Sequence, residues 1–193
     1  LYDPNKFAAF DLFALERPGA IRDWSAERQA AARAFWDAQT PEERAAFTQQ
    51  TLDLFPGVRL GLTVADFRAM LARYAAIDAE KLREHLRLFL EAIVPAAEQA
   101  GVRLAIHPDD PPFSVLGLPR IVSTEDDLRA VTAMVDSPAN GICYCTGSLS
   151  AREDNDLAGI VRRLGPRIHA VHLRSLQREA GGVFYEANHL EGS

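Results

Sequence analysis

Three side chains able to hold a metal ion, His107, Cys145 and His172, each fall at or beside the end of a short apolar run. Each is separated from the next by about the length of one strand–helix unit. Imidazole and thiolate suit zinc or a transition-series ion. One such ion, held with a position left open, polarises a bound hydroxyl or carboxylate. A lone histidine at a strand end is more often an ordinary hydrogen-bonded residue, and a lone cysteine in an apolar strand is more often core. The inference of a shared site therefore rests on the recurrence of all three at equivalent places. Cys143 is expected to pack in the core, on the opposite strand face from Cys145. His169, three residues before His172, is assigned to the opposite face from it, as a packing or supporting residue.

Further polar residues cluster near these ends. Asp109 and Asp110 lie in the proline-rich stretch His107-Pro108-Asp109-Asp110-Pro111-Pro112-Phe113, which reads as a rigid acidic wall or a plain solvated turn. Arg174 follows His172 and can grip a substrate carboxylate through two nitrogens. Thr146 and Ser148 offer hydroxyls for substrate binding, and Arg120 occupies a similar loop position. Glu186 and His189 can transfer a proton or orient a ligand. Other chemistries lack their signatures. The chain contains no His-Glu-x-x-His pair, Ser148 has no nucleophile elbow around it, and Cys143-x-Cys145 lacks redox spacing. No glycine-rich phosphate loop follows any predicted strand, which argues against a dinucleotide fold.

The elements that must position these residues are read from periodicity and breakers. Phe7 to Phe13 is a short strand or helix, ended by Pro18-Gly19. Ser25 caps a helix running to about Gln39. Thr40-Pro41-Glu42-Glu43 is a capping box opening a second helix, which should stop before Pro56-Gly57. Thr63 starts a third, with Phe67, Met70, Leu71 and Tyr74 at helical spacing. A long helix is predicted over 79–100, with Leu82, Leu86, Phe89, Leu90, Ile93 and Val94 as its apolar stripe and Pro95 as a kink or new start. The pattern then changes. Val102 to His107 reads as a buried strand, and Ser123 or Thr124 caps a helix to about Val135. Gly141 to Cys145 is a second strand, Asp156 to Leu164 a helix, Ile168 to Leu173 a third strand and Val183 to Glu186 a fourth. Repeated strand–helix–strand order predicts an α/β fold with a parallel sheet, either open or closed into a barrel.

The composition is that of a globular protein, 48% hydrophobic and 25% charged over 193 residues. The expectation is a single domain over 1–193, with 1–78 a mostly helical excursion and 79–193 consecutive barrel units. A net charge of −6, with arginines interleaved among acids, argues against a nucleic-acid partner. No apolar run is long enough for a membrane span. Two cysteines so close together do not make a disulfide framework, which suits a reducing, cytoplasmic setting.

Several blocks in order resemble one family. They are Phe7 to Phe13 with Arg17-Pro18-Gly19, Ala105 to Pro112 with Gly117-Leu118-Pro119-Arg120-Ile121, and Asn140-Gly141 through Cys145-Thr146-Gly147-Ser148. Arg167-Ile168-His169 with His172-Leu173-Arg174, and Phe184 through His189, follow in the same order. Together they resemble mannonate dehydratase over essentially the whole chain. The resemblance implies a (β/α)8 barrel of the xylose-isomerase-like kind. It implies a divalent ion, usually Mn2+ with Fe2+, Co2+ and Zn2+ as alternatives, on His107, Cys145 and His172. It also implies dehydration of D-mannonate to 2-dehydro-3-deoxy-D-gluconate in hexuronate (glucuronate) catabolism, with a sugar acid as partner and a homo-oligomer, expected to be a dimer. The family's fourth ligand, an Asp directly before a His in a Pro-Asp-His-Gly segment, has no counterpart here, and neither do the family's N-terminal strands or a downstream Tyr. The expectation is an incomplete barrel, since a closed one needs about 250 residues. Its main acid and base would lie in the missing segment, and these residues alone would be inactive. The rival readings are a metal-dependent sugar or sugar-acid isomerase on the same barrel, and a sugar-acid-binding module without catalysis.

Overall fold

The computed structural model describes residues 2–55 and 61–192, in two compact units. The Pro56-Gly57 helix stop lies outside the described residues. The first unit takes in residues 1–76 together with 116–118 and 180–183. It is helical because its caps are well formed. Asp3 accepts from the Asn5 and Lys6 amides at the start of α1 (Pro4–Ala9), with Pro4 in the first turn where its missing N–H costs nothing. The chain continues through a π-helical turn, Phe10–Ala14, so the ambiguous apolar run is helical throughout. After the short α2 (Ala20–Asp23), Ser25 caps α3 (Ala26–Asp37). Reciprocal capping boxes, Thr40 with Glu43 and Thr63 with Asp66, open α4 (Pro41–Asp53) and α5 (Val64–Ala72). Phe10, Leu15, Leu52, Phe67 and Leu116 form the core of this unit. Ala8, Ala9 and Ala32 are fully buried together, with Leu12, Phe13, Phe35 and Trp36 packed around them. Met70 and Tyr74 are 40% and 49% exposed, against the sequence expectation of packing. Tyr74 lies past the end of α5, where helical spacing no longer aims a side chain inward.

The second unit takes in 77–115, 119–179 and 184–193. Its frame is α6 (Ala79–Gln99), β1 (Leu104–Ile106), α7 (Glu125–Met134), β2 (Asn140–Cys145), α8 (Thr146–Ser150), α9 (Leu157–Leu164) and β3 (Ile168–His172). The three strands are parallel in the order β1-β2-β3, so neighbours in space are neighbours in the chain, as in a barrel wall. Leu90, Val94, Leu128, Val131, Ile142, Tyr144, Ile160 and Leu164 form one core between the helices and the sheet. Helix α6 runs on through Pro95 to Gln99. Phe89 does not join its buried stripe and is 54% exposed, because it stands roughly 100° around the helix from Leu90.

The fourth predicted strand does not extend the parallel sheet. It is β5 (Phe184–Ala187), paired antiparallel with β4 (Ser175–Arg178), a strand the periodicity did not reveal. A parallel neighbour needs a crossover of about a dozen residues or more. The stretch between His172 and Phe184 is occupied by β4 itself and a turn, so a hairpin is the geometry open to it. The whole is a mixed α/β fold with an unclosed sheet, part of a barrel wall rather than a closed barrel. Among the described residues no helix is long and apolar enough to cross a membrane.

Candidate functional site

Strand β2 sorts its side chains by alternation. Ile142 and Tyr144 enter the core between helices and sheet, and the two cysteines take the other face. Residues two apart on a strand point the same way, so the expectation that Cys143 and Cys145 oppose one another is corrected. Cys145 is in register with His172 on β3, and His107 follows Ile106, the last residue of β1. The parallel sheet thereby brings the two histidines together. Nε2 of His107 lies 3.2 Å from Nδ1 of His172. Nδ1 of His107 is 2.6 Å from the Pro108 carbonyl, which places the ring proton there and turns the Nε2 lone pair toward His172. The Cys143 sulfur completes a group in which all ligand atoms lie within 4.8 Å of one another.

Two imidazole nitrogens bound tetrahedrally to one zinc-sized ion at about 2.0–2.1 Å would stand about 3.3 Å apart. The observed spacing fits that arrangement, and the donor types suit a borderline-to-soft divalent ion. Burial pushes the Cys143 thiol above its usual range, and the neighbouring Cys145 adds to this. Cys145 is fully buried, and its sulfur accepts from Ser148 N at 3.5 Å and Ser148 Oγ at 3.3 Å at the start of α8. The structure therefore gathers His107, His172 and Cys143. Cys145 shares their sheet face, with its sulfur held by Ser148. Cys143 is the site residue that sequence reasoning missed; its spacing from Cys145, taken with strand alternation, was the available signal.

The remaining candidates form a rim. Arg174 donates to Asp110 at 2.6 Å, and its Nε lies 3.1 Å from Glu186, near but not aligned as a hydrogen bond. The Arg174 backbone amide donates to Thr146 Oγ1 at 2.8 Å, and that hydroxyl lies 2.7 Å from the Arg174 carbonyl. Thr146 thus fixes the backbone that carries Arg174. Gly147 makes room for the guanidinium, since a Cβ there would overlap Arg174 Nε. Asp109 turns away to accept from the Val122 amide at 2.7 Å and Ser123 Oγ at 3.2 Å, with Arg120 3.5 Å distant. It holds the loop together. Ser148 is buried against Cys145, and His189 lies 2.9 Å from the Leu173 carbonyl. His169 contacts the Leu104 carbonyl at 2.7 Å, in space that the missing Cβ of Gly141 leaves open.

Consecutive parallel strands with imidazoles, thiols and an Arg–carboxylate rim at their ends define a class: α/β proteins of the barrel type with a metal-capable strand-end site. Comparison with known proteins narrows it. The family pattern for D-mannonate dehydratase (UxuA) matches residues 25–193. Mannonate dehydratase of Marinomonas sp. (strain MWYL1) is 50% identical over 99% of this chain and 49% of its own length. That of Brucella canis is 49% identical over 99% of this chain and 48% of its own. A crystal structure of mannonate dehydratase from Streptococcus suis serotype2 is similar with a TM-score of 0.60 and 38% identity, over 63% of this chain and 36% of that one. The chain belongs to the D-mannonate dehydratase (UxuA) family, within the xylose-isomerase-like barrel superfamily. It spans about half the length of the curated relatives it matches.

Proposed function

We propose that this chain serves a hydro-lyase that removes water from D-mannonate to give 2-dehydro-3-deoxy-D-gluconate, in hexuronate catabolism. The observation that carries the reading is the pair of imidazole nitrogens 3.2 Å apart beside buried thiols, in a chain half identical to mannonate dehydratases. His107, Cys145 and His172 would hold the divalent ion, Mn2+ in first place with Fe2+, Co2+ and Zn2+ as alternatives. When bound, such an ion stabilises the negative charge that develops as the proton alpha to the carboxylate leaves. Arg174 grips the substrate carboxylate, and Asp110 and Glu186 set the angle of its guanidinium. Arg120 and Asp109 shape the adjoining loop, and Thr146 and Ser148 keep the strand ends in place. Glu186 is the local candidate for moving a proton, with His189 behind it. Residues 1–78 form a helical excursion from the barrel, and the remainder contributes to its wall. A reducing, cytoplasmic setting goes with two free buried thiols, and a homodimer is the assembly we favour.

Mass analysis of D-mannonate incubated with Mn2+ and this chain set within an enzyme of its relatives' full length tests the reading. Loss of one water, abolished by His172→Ala together with bound metal, is the expected result. A product of unchanged mass identifies an isomerase instead. Retention of stoichiometric metal in His107→Ala and in His172→Ala overturns the site.

A further inference from the structure

We infer that Cys143 is a second sulfur ligand, so that His107, His172, Cys143 and Cys145 form a two-nitrogen, two-sulfur set that closes around a thiophilic ion such as Zn2+ or Cd2+. This rests on the reading that His107 and His172 hold an ion. It concerns which ion that pair selects.

Three observations carry it. Alternation along β2 puts both sulfurs on the face away from the helix core, where Ile142 and Tyr144 are buried. Register sets the Cys145 backbone beside His172, and the Cys143 sulfur, unlike that of Cys145, lies within 4.8 Å of the imidazole nitrogens of both histidines. Both cysteines are buried and free of disulfides, so their sulfurs are available to an ion and shielded from solvent. A closed tetrahedral site needs nitrogen–sulfur distances of about 3.6 Å, so binding draws the Cys143 side chain inward by at most about an ångström. The Cys145 sulfur must leave Ser148, whose amide and hydroxyl hold it at 3.5 and 3.3 Å. Two thiolates favour zinc over manganese, which prefers oxygen. Four protein ligands around a tetrahedral zinc also leave no open position, whereas catalytic zinc sites keep one. Zinc closed in this way would silence the site, and an ion that left Cys143 unbound would keep it open.

The test is Co2+ titration of the protein, read by sulfur-to-cobalt charge-transfer absorption in the near ultraviolet. Wild type should show the band of two thiolates. Cys143→Ser and Cys145→Ser should each remove about half of it, and the double variant all of it. Competition should show the preference for Zn2+ over Mn2+ falling roughly tenfold or more in Cys143→Ser, on the scale known for altered metal sites. Should the variants fail to fold, cadmium NMR of the Cd2+-loaded wild type reports the sulfur count directly: two sulfurs support the inference and one overturns it. A band that survives intact in Cys143→Ser and vanishes in Cys145→Ser also overturns it, with the metal reading left standing. A band unchanged in His107→Ala and His172→Ala removes that reading and this inference together.

Discussion

At Asp11 a carboxylate with no exposed surface accepts from Arg17 Nε at 2.8 Å, Arg17 Nη2 at 2.7 Å and the Trp24 indole at 2.9 Å. Removing one partner of a buried, two-pronged pair leaves the other charge poorly solvated, at a cost of about 3–5 kcal/mol. Asp23, 2.6 Å from the same Arg17 nitrogen, offsets part of this. Asp11→Ala is expected to lose about 3 kcal/mol by urea unfolding; a loss below about 1 kcal/mol would remove the ion pair from the account of this unit. Gly147 belongs to the same scale. Gly147→Ala places a methyl group where Arg174 Nε now sits, so the guanidinium must swing off Asp110. The expected outcome is weaker binding of sugar acids with metal content unchanged, read by calorimetry and metal analysis of one sample. Unaltered sugar-acid binding would detach Arg174 from the substrate.

Elements are tied to one another by caps and charge pairs that titrate. Thr124 caps α7 and exchanges bonds with Asp127, which also accepts from the Ser123 amide at 3.1 Å and pairs with Arg83 on α6 at 3.0 Å. Glu125 accepts from Arg163 on α9 at 2.7 and 2.6 Å and from Arg129 at 2.6 Å. The Arg163 hydrogen bonds, with help from Arg129, pull its pKa from 4.5 down to about 2. A depressed folded pKa means stabilisation that is present above the unfolded value and lost as pH falls through the folded one. The contribution from Glu125 should therefore fade between pH 4.5 and about 2. Thermal melts across that window should show wild type losing stability more steeply than Glu125→Gln, and parallel curves would refute the coupling. Asn140 ties a strand to a helix: its Nδ2 donates to the Val131 and Val135 carbonyls at 3.0 and 3.1 Å at the end of α7. Asn140→Ala removes two buried hydrogen bonds, with the Val135 carbonyl keeping the Ser137 amide at 2.9 Å, and should cost about 1–3 kcal/mol, measured by the same melts.

For the molecule as a whole, the sheet edge is the feature with consequences. Among the described residues β3 pairs only with β2, and Val171 and Leu173 are 52% and 70% exposed. An open edge carrying apolar side chains is a template for pairing with another chain. The 193-residue chain by itself is expected to associate as concentration rises, seen by light scattering, and Val171→Lys to reduce this. Association unaffected by the lysine would place the contact elsewhere.

Local chemistry made much of this legible from the chain. Ser25, Thr40 and Thr63 marked helix starts because a cap is a matter of a few adjacent atoms. The apolar runs at β1, β2 and β3, and the ordered blocks shared with mannonate dehydratases, were equally readable, and they pointed to both histidines. Which sulfur meets the histidines was not, because that depends on the register of β2 against β3 and on Ser148 reaching back to Cys145. Nor was the β4–β5 hairpin, since pairing between strands is set by where the chain can turn and what it finds beside it. Asp109 and Asp110 look alike as neighbours in sequence, yet one stitches a loop and the other holds Arg174. Successive residues in that turn point different ways, and only residues distant in the chain supply their partners.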